Sequence, residues 1–303
     1  MNNSTSRRQF LQRATTCAAG TVALPALAST SLVADTFASS ATTSNIYTSL
    51  KWGMIEGDLS VLEKFQLCKE LGYDGVELVS PLEGLKVEEV LDAASKTEMF
   101  VPGVVDMKHW DVRLSAPEQS TRQKGVGYLK QAIHDAHALH GDSVLLVPGK
   151  VNGEDENHDH VWQRSIEGIR QVLPLASRLG VRILIENVWN GFCETPEQLR
   201  DYVDEIDSPW VGVYFDIGNA WTFSPSQEWI RTLGSRIVKL DVKGWGEEEG
   251  FCKIGDGDIQ WDEVRIALQE IGFTGWCTAE VPGGNRKELD DISQRMKRVL
   301  AIR

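Results

Sequence analysis

Four apolar runs in this chain each end on an acid. Val181-Arg-Ile-Leu-Ile-Glu186 ends on Glu186 and Val211-Gly-Val-Tyr-Phe-Asp216 on Asp216, while Ile237-Val-Lys-Leu-Asp241 reaches Asp241 and Trp276-Cys-Thr-Ala-Glu280 ends on Glu280. A buried strand that finishes on a carboxylate presents one charged group at its tip. Any one such acid also reads as a cap or an ion-paired strand end. Four together repel one another unless they are protonated or bridged by a cation, and a divalent metal answers that repulsion directly. The expectation is a shared metal held by Glu186, Asp216, Asp241 and Glu280.

The acids are 30, 25 and 39 residues apart, room each time for a loop, a helix and a turn. The same alternation runs through the whole chain. Strands are expected at Ser49–Met54, Gly75–Val79, Phe100–Asp106 and Ser143–Val147, followed by the four acid-tipped runs. Between them lie helical patterns: one capped by Asp58 and ending near Gly72, then Val87–Lys96, Pro117–His140 and His160–Leu179 with Gly180 as C-cap. Further helices start at Pro196 behind a Thr195 cap and at Pro225, cover Trp261–Ile271, and end near Leu300. Helix periodicity, caps and terminal glycines set these bounds. Residues 244–259 read as a glycine- and acid-rich loop.

Eight strand–helix pairs in alternation imply parallel strands with right-handed crossovers. Eight such units in about 260 residues favour one closed (β/α)8 TIM barrel over an open sheet. No G-x-G-x-x-G turn follows any strand, which argues against an open dinucleotide-binding sheet. In such a barrel the site lies at the C-terminal ends of the strands, where the four acids sit. On the seventh strand Val238, Leu240 and Val242 are expected to face helices, and Lys239, Asp241 and Lys243 the interior.

The chain has 303 residues and a net charge of −13 with no basic cluster, which disfavours nucleic acid and anionic membranes as partners. Residues 1–34 differ from the rest. Ser6-Arg7-Arg8-Gln9-Phe10-Leu11 is a twin-arginine pattern, an Ala/Thr-rich run follows, and Ala26-Leu27-Ala28 offers a cleavage site. This reads as a twin-arginine signal peptide directing the protein to the periplasm or beyond. Residues 35–45 read as a flexible leader and 46–303 as the barrel. No later run is long enough to span a bilayer. The five cysteines make no zinc motif, and pairing of Cys193 with Cys252 is left open, as is assembly into a homo-oligomer.

The chain resembles the xylose isomerase-like sugar phosphate isomerase/epimerase superfamily. The resemblance rests on Gly72-Tyr-Asp-Gly-Val-Glu77, Ile185-Glu-Asn187, Phe215-Asp-Ile-Gly-Asn219, Lys239-Leu-Asp-Val-Lys243, Gly255-Asp-Gly-Asp-Ile259 and Gly275 to Glu280. It implies a metal bound by end-of-strand Glu, Asp, His and Glu, which fall here on Glu186, Asp216, Asp241 and Glu280. Asp241 stands where that pattern usually has His, and Asn219 where several members carry a substrate-binding His. An all-oxygen set favours Mn2+ or Mg2+ over zinc.

The chemistry this implies is isomerisation or epimerisation of a small keto sugar or hydroxy-carbonyl compound through an enediolate. Glu186 and Glu280 would exchange the proton from opposite sides, and Lys243 would either stabilise developing negative charge or brace a metal-site acid. Trp52, Glu77, Trp189 and Trp221 are placed near strand ends as walls for a sugar ring. Lys108 and His109 follow the third strand as further substrate contacts, although a solvated loop His is the plainer reading of His109. His134, His137 and His140 read as helix surface, and His158 and His160 as solvated. Two alternatives use the same site: a lyase or hydrolase acting on a keto-glycoside, and a non-catalytic carbohydrate-binding barrel. The superfamily's DNA-repair endonuclease branch needs a His-rich zinc cluster, and this chain has no His after His160.

Overall fold

The computed structural model describes residues 45–302. The expected signal at 1–34, and all of the leader but Asn45, lie outside them. Barrel strands β1 (Ile46–Lys51), β2 (Gly75–Ser80), β3 (Gly103–Asp106), β4 (Ser143–Leu146), β5 (Arg182–Glu186), β6 (Val211–Asp216) and β7 (Ile237–Val242) follow one another round the wall. An antiparallel hairpin, β8 (Gly244–Gly246) with β9 (Gly250–Cys252), interrupts the series before β10 (Gly275–Ala279) closes the barrel against β1 and β7. All eight barrel pairings are parallel. The result is a single-domain (β/α)8 barrel.

The strands form where β-branched and apolar residues can be buried on both faces. Ile183, Ile185, Val213, Phe215 and Leu240 pack outward into the main core, shared with the helices. Leu145, Leu184 and Tyr214 make a separate small cluster, joined by Val105 and Val238. These are the alternate positions of the same strands, so this second cluster fills the barrel interior.

Several expected boundaries move, each for a local reason. The first helix is Val61–Glu70, capped by Ser60 rather than Asp58. Ser60 accepts from the Glu63 amide at 3.3 Å while the Glu63 carboxylate takes the Ser60 amide at 2.8 Å, a reciprocal capping box that Asp58 has no partner to match. The third strand is Gly103–Asp106, and the helix after it is Gln119–Ala138, shorter at both ends than its pattern suggests. The helix that begins at Pro196 is capped by Thr195 as expected, and Gly180 ends its predecessor in the left-handed conformation at φ 69°. The 244–259 loop is corrected more substantially, because its glycines fold back as the β8–β9 hairpin.

The facing of the seventh strand also needs correction at one residue. Register shifts between β6 and β7, with Val213 opposite Ile237 but Tyr214 opposite Lys239. Val238 is the extra residue of this bulge, and it packs with the interior cluster instead of beside Leu240 and Val242. Gly212 makes room for it, since a β-carbon there would lie 2.7 Å from Val238 Cγ2.

Candidate metal centre and barrel mouth

The tips of β5 and β6 are locked together by one side-chain amide. Asn187 donates from Nδ2 to the Asp216 carbonyl at 2.9 Å and accepts the Asp216 amide at 2.8 Å. Asp216 Oδ1 accepts the Asn219 amide at 2.9 Å, capping the short helix Ile217–Trp221. Asn219 Nδ2 donates to the Asn187 carbonyl at 2.9 Å and reaches Glu186 Oε1 at 3.5 Å. Asn219 is therefore a brace between strand ends, 5% exposed, rather than an open contact.

These constraints bring Glu186, Asp216, Asp241 and Glu280 together. One carboxylate oxygen from each lies within 4.8 Å of the others. The first three are buried, and the Glu280 side chain is 38% exposed. Lys243 Nζ stands 2.6 Å from both Asp216 Oδ2 and Glu280 Oε2. These are ionic contacts without aligned hydrogen bonds: Asp216 Oδ2, Asp241 Oδ1 and Glu280 Oε2 are buried atoms with no hydrogen-bond partner. Buried carboxylate oxygens left unsatisfied are costly. Carboxylate oxygens this close and of one sign suit a hard divalent cation, so the residues present fit a metal.

A second lysine lies beneath. Lys51, the last residue of β1, places Nζ 2.6 Å from Glu77 Oε2 and 3.0 Å from Asp241 Oδ1, over the Tyr214 ring. Tyr214 donates to Glu77 Oε1 at 3.0 Å and lies 2.6 Å from Thr278 Oγ1, which in turn meets Ser49 Oγ at 2.8 Å. This polar layer joins β1, β2, β6 and β10 under the acids, and Lys51 ties it to Asp241 on β7. With every group ionised, two ammonium groups among five carboxylates would leave three negative charges in excess.

The titration of the acids follows. Burial pushes Glu186 well above the usual carboxylate range, and Glu280 beside it adds to the rise. Burial also raises Asp216 and raises Asp241 strongly, against the pull of Lys243 on the first and Lys51 on the second. Glu280 goes the other way: burial opposes it, but Lys51 and Lys243 outweigh burial and hold it below the usual range. For both lysines burial works downward, yet the surrounding carboxylates win and raise them.

His109 is not the solvated loop residue its position suggests. It is 5% exposed, and its Nδ1 accepts the Val147 amide at 3.1 Å. An accepting Nδ1 carries no proton, so the neutral ring holds its hydrogen on Nε2. Burial, helped by Lys51, lowers its pKa to about 3. The loops that carry it are tied by Arg113, which binds Glu156 at 2.9 and 2.6 Å, with Ser115 on the same carboxylate at 2.5 Å.

The remaining expected residues scatter. Glu77 is 1% exposed and wholly engaged with Lys51 and Tyr214, beneath the mouth instead of lining it. Trp52 lies in the turn after β1, packed near Phe65 with Lys64 over its ring. Lys108 points toward Glu83 at 3.4 Å. Trp189 stays at the rim, 45% exposed, its Nε1 donating to the Asn219 carbonyl at 2.9 Å. Trp221 is half-buried against the core. His134, His137 and His140 are exposed on the outside, while His158 and His160 are half-buried rather than solvated, the former against Trp162 and Phe192. Cys193 and Cys252 are both free thiols, as are Cys68 and Cys277. The glycines of Pro282-Gly-Gly284 meet the turn after β1: Gly284 donates to the Met54 carbonyl at 3.0 Å, and a β-carbon on Gly283 would collide with the Met54 backbone.

Sequence reading passed over Lys51, Tyr214 and Phe251. Lys51 was visible as the second polar residue, after Ser49, on alternate positions of β1. Phe251 was hidden by the reading of its segment as loop.

The xylose isomerase-like TIM barrel family model matches residues 65–301. This chain belongs to that family. Among relatives of the family's barrel, L-ribulose-5-phosphate 3-epimerase UlaE of Escherichia coli is 26% identical over 258 residues, covering 78% of this chain and 89% of that one. An uncharacterized protein of Methanocaldococcus jannaschii, MJ1311, is 27% identical over 223 residues, 70% of this chain and 73% of its own. The crystal structure of a D-tagatose 3-epimerase-like protein superposes with a TM-score of 0.72 at 23% identity, covering 84% of this chain and 97% of that one. Among the described residues of this family member, no helix is long and apolar enough to cross a membrane.

Proposed function

We propose that this protein is a metal-dependent sugar epimerase or isomerase acting on a small ketose through an enediolate. The observation that carries the reading is the cluster of four carboxylates at the barrel mouth, one oxygen from each within 4.8 Å of the others. The similarity to L-ribulose-5-phosphate 3-epimerase supports the carbohydrate class. Glu186, Asp216, Asp241 and Glu280 would hold the ion, and an all-oxygen donor set suits Mn2+ or Mg2+. When bound, a divalent cation supplies the Lewis acidity that makes a proton next to a carbonyl easier to remove.

The chain's own groups do the rest. Glu280, kept ionised by Lys51 and Lys243, is the group to accept a proton from carbon. Glu186 is the group to return one from the other side. Lys243 stabilises negative charge developing on substrate oxygen, and the Nε2 hydrogen of His109 is a neutral donor for a hydroxyl.

The test is proton exchange. With manganese and a ketose panel that includes L-ribulose, D-tagatose and D-psicose, the wild-type enzyme should wash solvent deuterium into the carbon next to the carbonyl. Glu280→Gln should abolish that exchange. Exchange that persists in the variant would remove Glu280 from the role, and no exchange with any ketose in the wild type would defeat the reading.

Export by the twin-arginine route belongs to the same proposal and rests on Arg7 and Arg8, which lie outside the described residues. Replacing both with Lys should leave the protein in the cytoplasmic fraction.

A further inference from the structure

Few large apolar side chains are exposed on the described surface, and four of them cluster by position. Met107, Trp110, Trp189 and Phe251 all belong to loops that leave the C-terminal ends of β3, β5 and β7. Trp189 and Phe251 come from different loops yet stack face to face, centroids 4.7 Å apart and planes 13° from parallel, while remaining 45% and 50% exposed. Neither ring covers the core. Both are held in place: Trp189 by its bond to the Asn219 carbonyl, and Phe251 by the Lys243 ammonium 5.4 Å from its centroid.

That ammonium is the one that touches Asp216 and Glu280. The aromatic pair therefore begins where the acid cluster ends, and Asn219 joins the two from below through Trp189 and Glu186. Fixed, exposed rings above clustered carboxylates combine the two contacts a carbohydrate needs. Its C–H faces lie on aromatic surface, and its hydroxyls meet polar oxygen. A ring seated on the acids would have its far end at the stacked pair, so whatever is attached there meets the aromatics.

We infer that Trp189 and Phe251 form a subsite for the second ring of a glycoside, so that the preferred substrate is a keto sugar bearing another sugar ring and not a free monosaccharide. The inference rests on the proposed ketose chemistry for its first ring only. The β8–β9 hairpin, which sets Phe251 beside Lys243, is then the specificity element of the mouth.

The experiment compares two ketoses that differ by one ring. D-Fructose has none to offer the rim, and isomaltulose is the same ketose carrying a glucosyl group on O6. Calorimetric titration of the manganese-loaded protein should show isomaltulose binding about tenfold more tightly, what one aromatic stacking contact supplies. Phe251→Ala should bring the two within about twofold of each other without weakening D-fructose, and Phe251→Trp should restore the preference. Equal binding by the wild type, or a preference that survives Phe251→Ala, overturns the subsite and leaves the ketose reading intact. Should neither ketose bind, the ketose reading fails on its own, and cellobiose then reads the rim alone. Cellobiose binding that Phe251→Ala abolishes keeps the subsite; no binding overturns it.

Discussion

Lys239 and Lys243 lie near opposite ends of one strand, and their surroundings differ in kind. Lys239 is buried at the floor of the barrel, donating to the Pro102 carbonyl at 2.5 Å and pairing with Asp142 at 2.8 Å. Each partner there has a partner. At the mouth, Lys243 and Lys51 stand among five carboxylates whose oxygens cannot all be satisfied. The floor is arranged for stability. The mouth tolerates repulsion that protonation or a further cation relieves, and local conflict of this sort marks functional ground.

The sharpest way to break the contrast is Glu186→Gln. Glu186 has no lysine of its own to strand, so the change removes repulsion and little else. Affinity for manganese should fall roughly a thousandfold, about 4 kcal/mol, by calorimetric titration. The metal-free variant should melt above the metal-free wild type. A lower melting temperature would mean the mouth is held together by its acids instead of strained by them.

Acid sensitivity is the next test. The pKa of His109 is depressed to about 3, so on acidification the unfolded chain takes up its proton before the folded one does. The stability His109 contributes is full above its unfolded value of about 6.5 and is lost as pH falls toward about 3. By pH 4 the loss should reach ~3 kcal/mol. Denaturant midpoints across that range should be flatter in His109→Gln.

Smallest is the floor. Lys239→Met removes one of the two donors to the Pro102 carbonyl, leaving the Asp142 amide at 3.2 Å, and should cost about 1 kcal/mol in urea titrations. Manganese affinity should stay within about twofold. A larger change in affinity would mean that floor and mouth are coupled through β7.

How much of this was legible without coordinates differs by element. The barrel was, because eight apolar runs alternating with helical patterns leave few other topologies. The acids were, because each ends a buried run and the strand ends of a closed barrel meet. Lys51 was not singled out: its alternation with Ser49 is only two residues long, and its partners Glu77 and Asp241 are 26 and 190 residues away. His109 was misplaced because a histidine after Met107-Lys108 looks solvated until the amide of Val147, the residue that follows β4, is seen to bond to its ring. The bulge at Val238 was invisible for a related reason, since strict alternation in sequence says nothing about a register shift against β6.

Asp216 caps a helix with one oxygen and turns the other toward the cluster. That division limits its denticity. Such an aspartate can grip an ion through a single atom, whereas a free carboxylate could wrap it with two. Were a divalent cation bound there, a single-atom grip would leave room in its shell for an incoming molecule's own oxygens, so a turn at the foot of a five-residue helix would favour an open site over a sealed structural one.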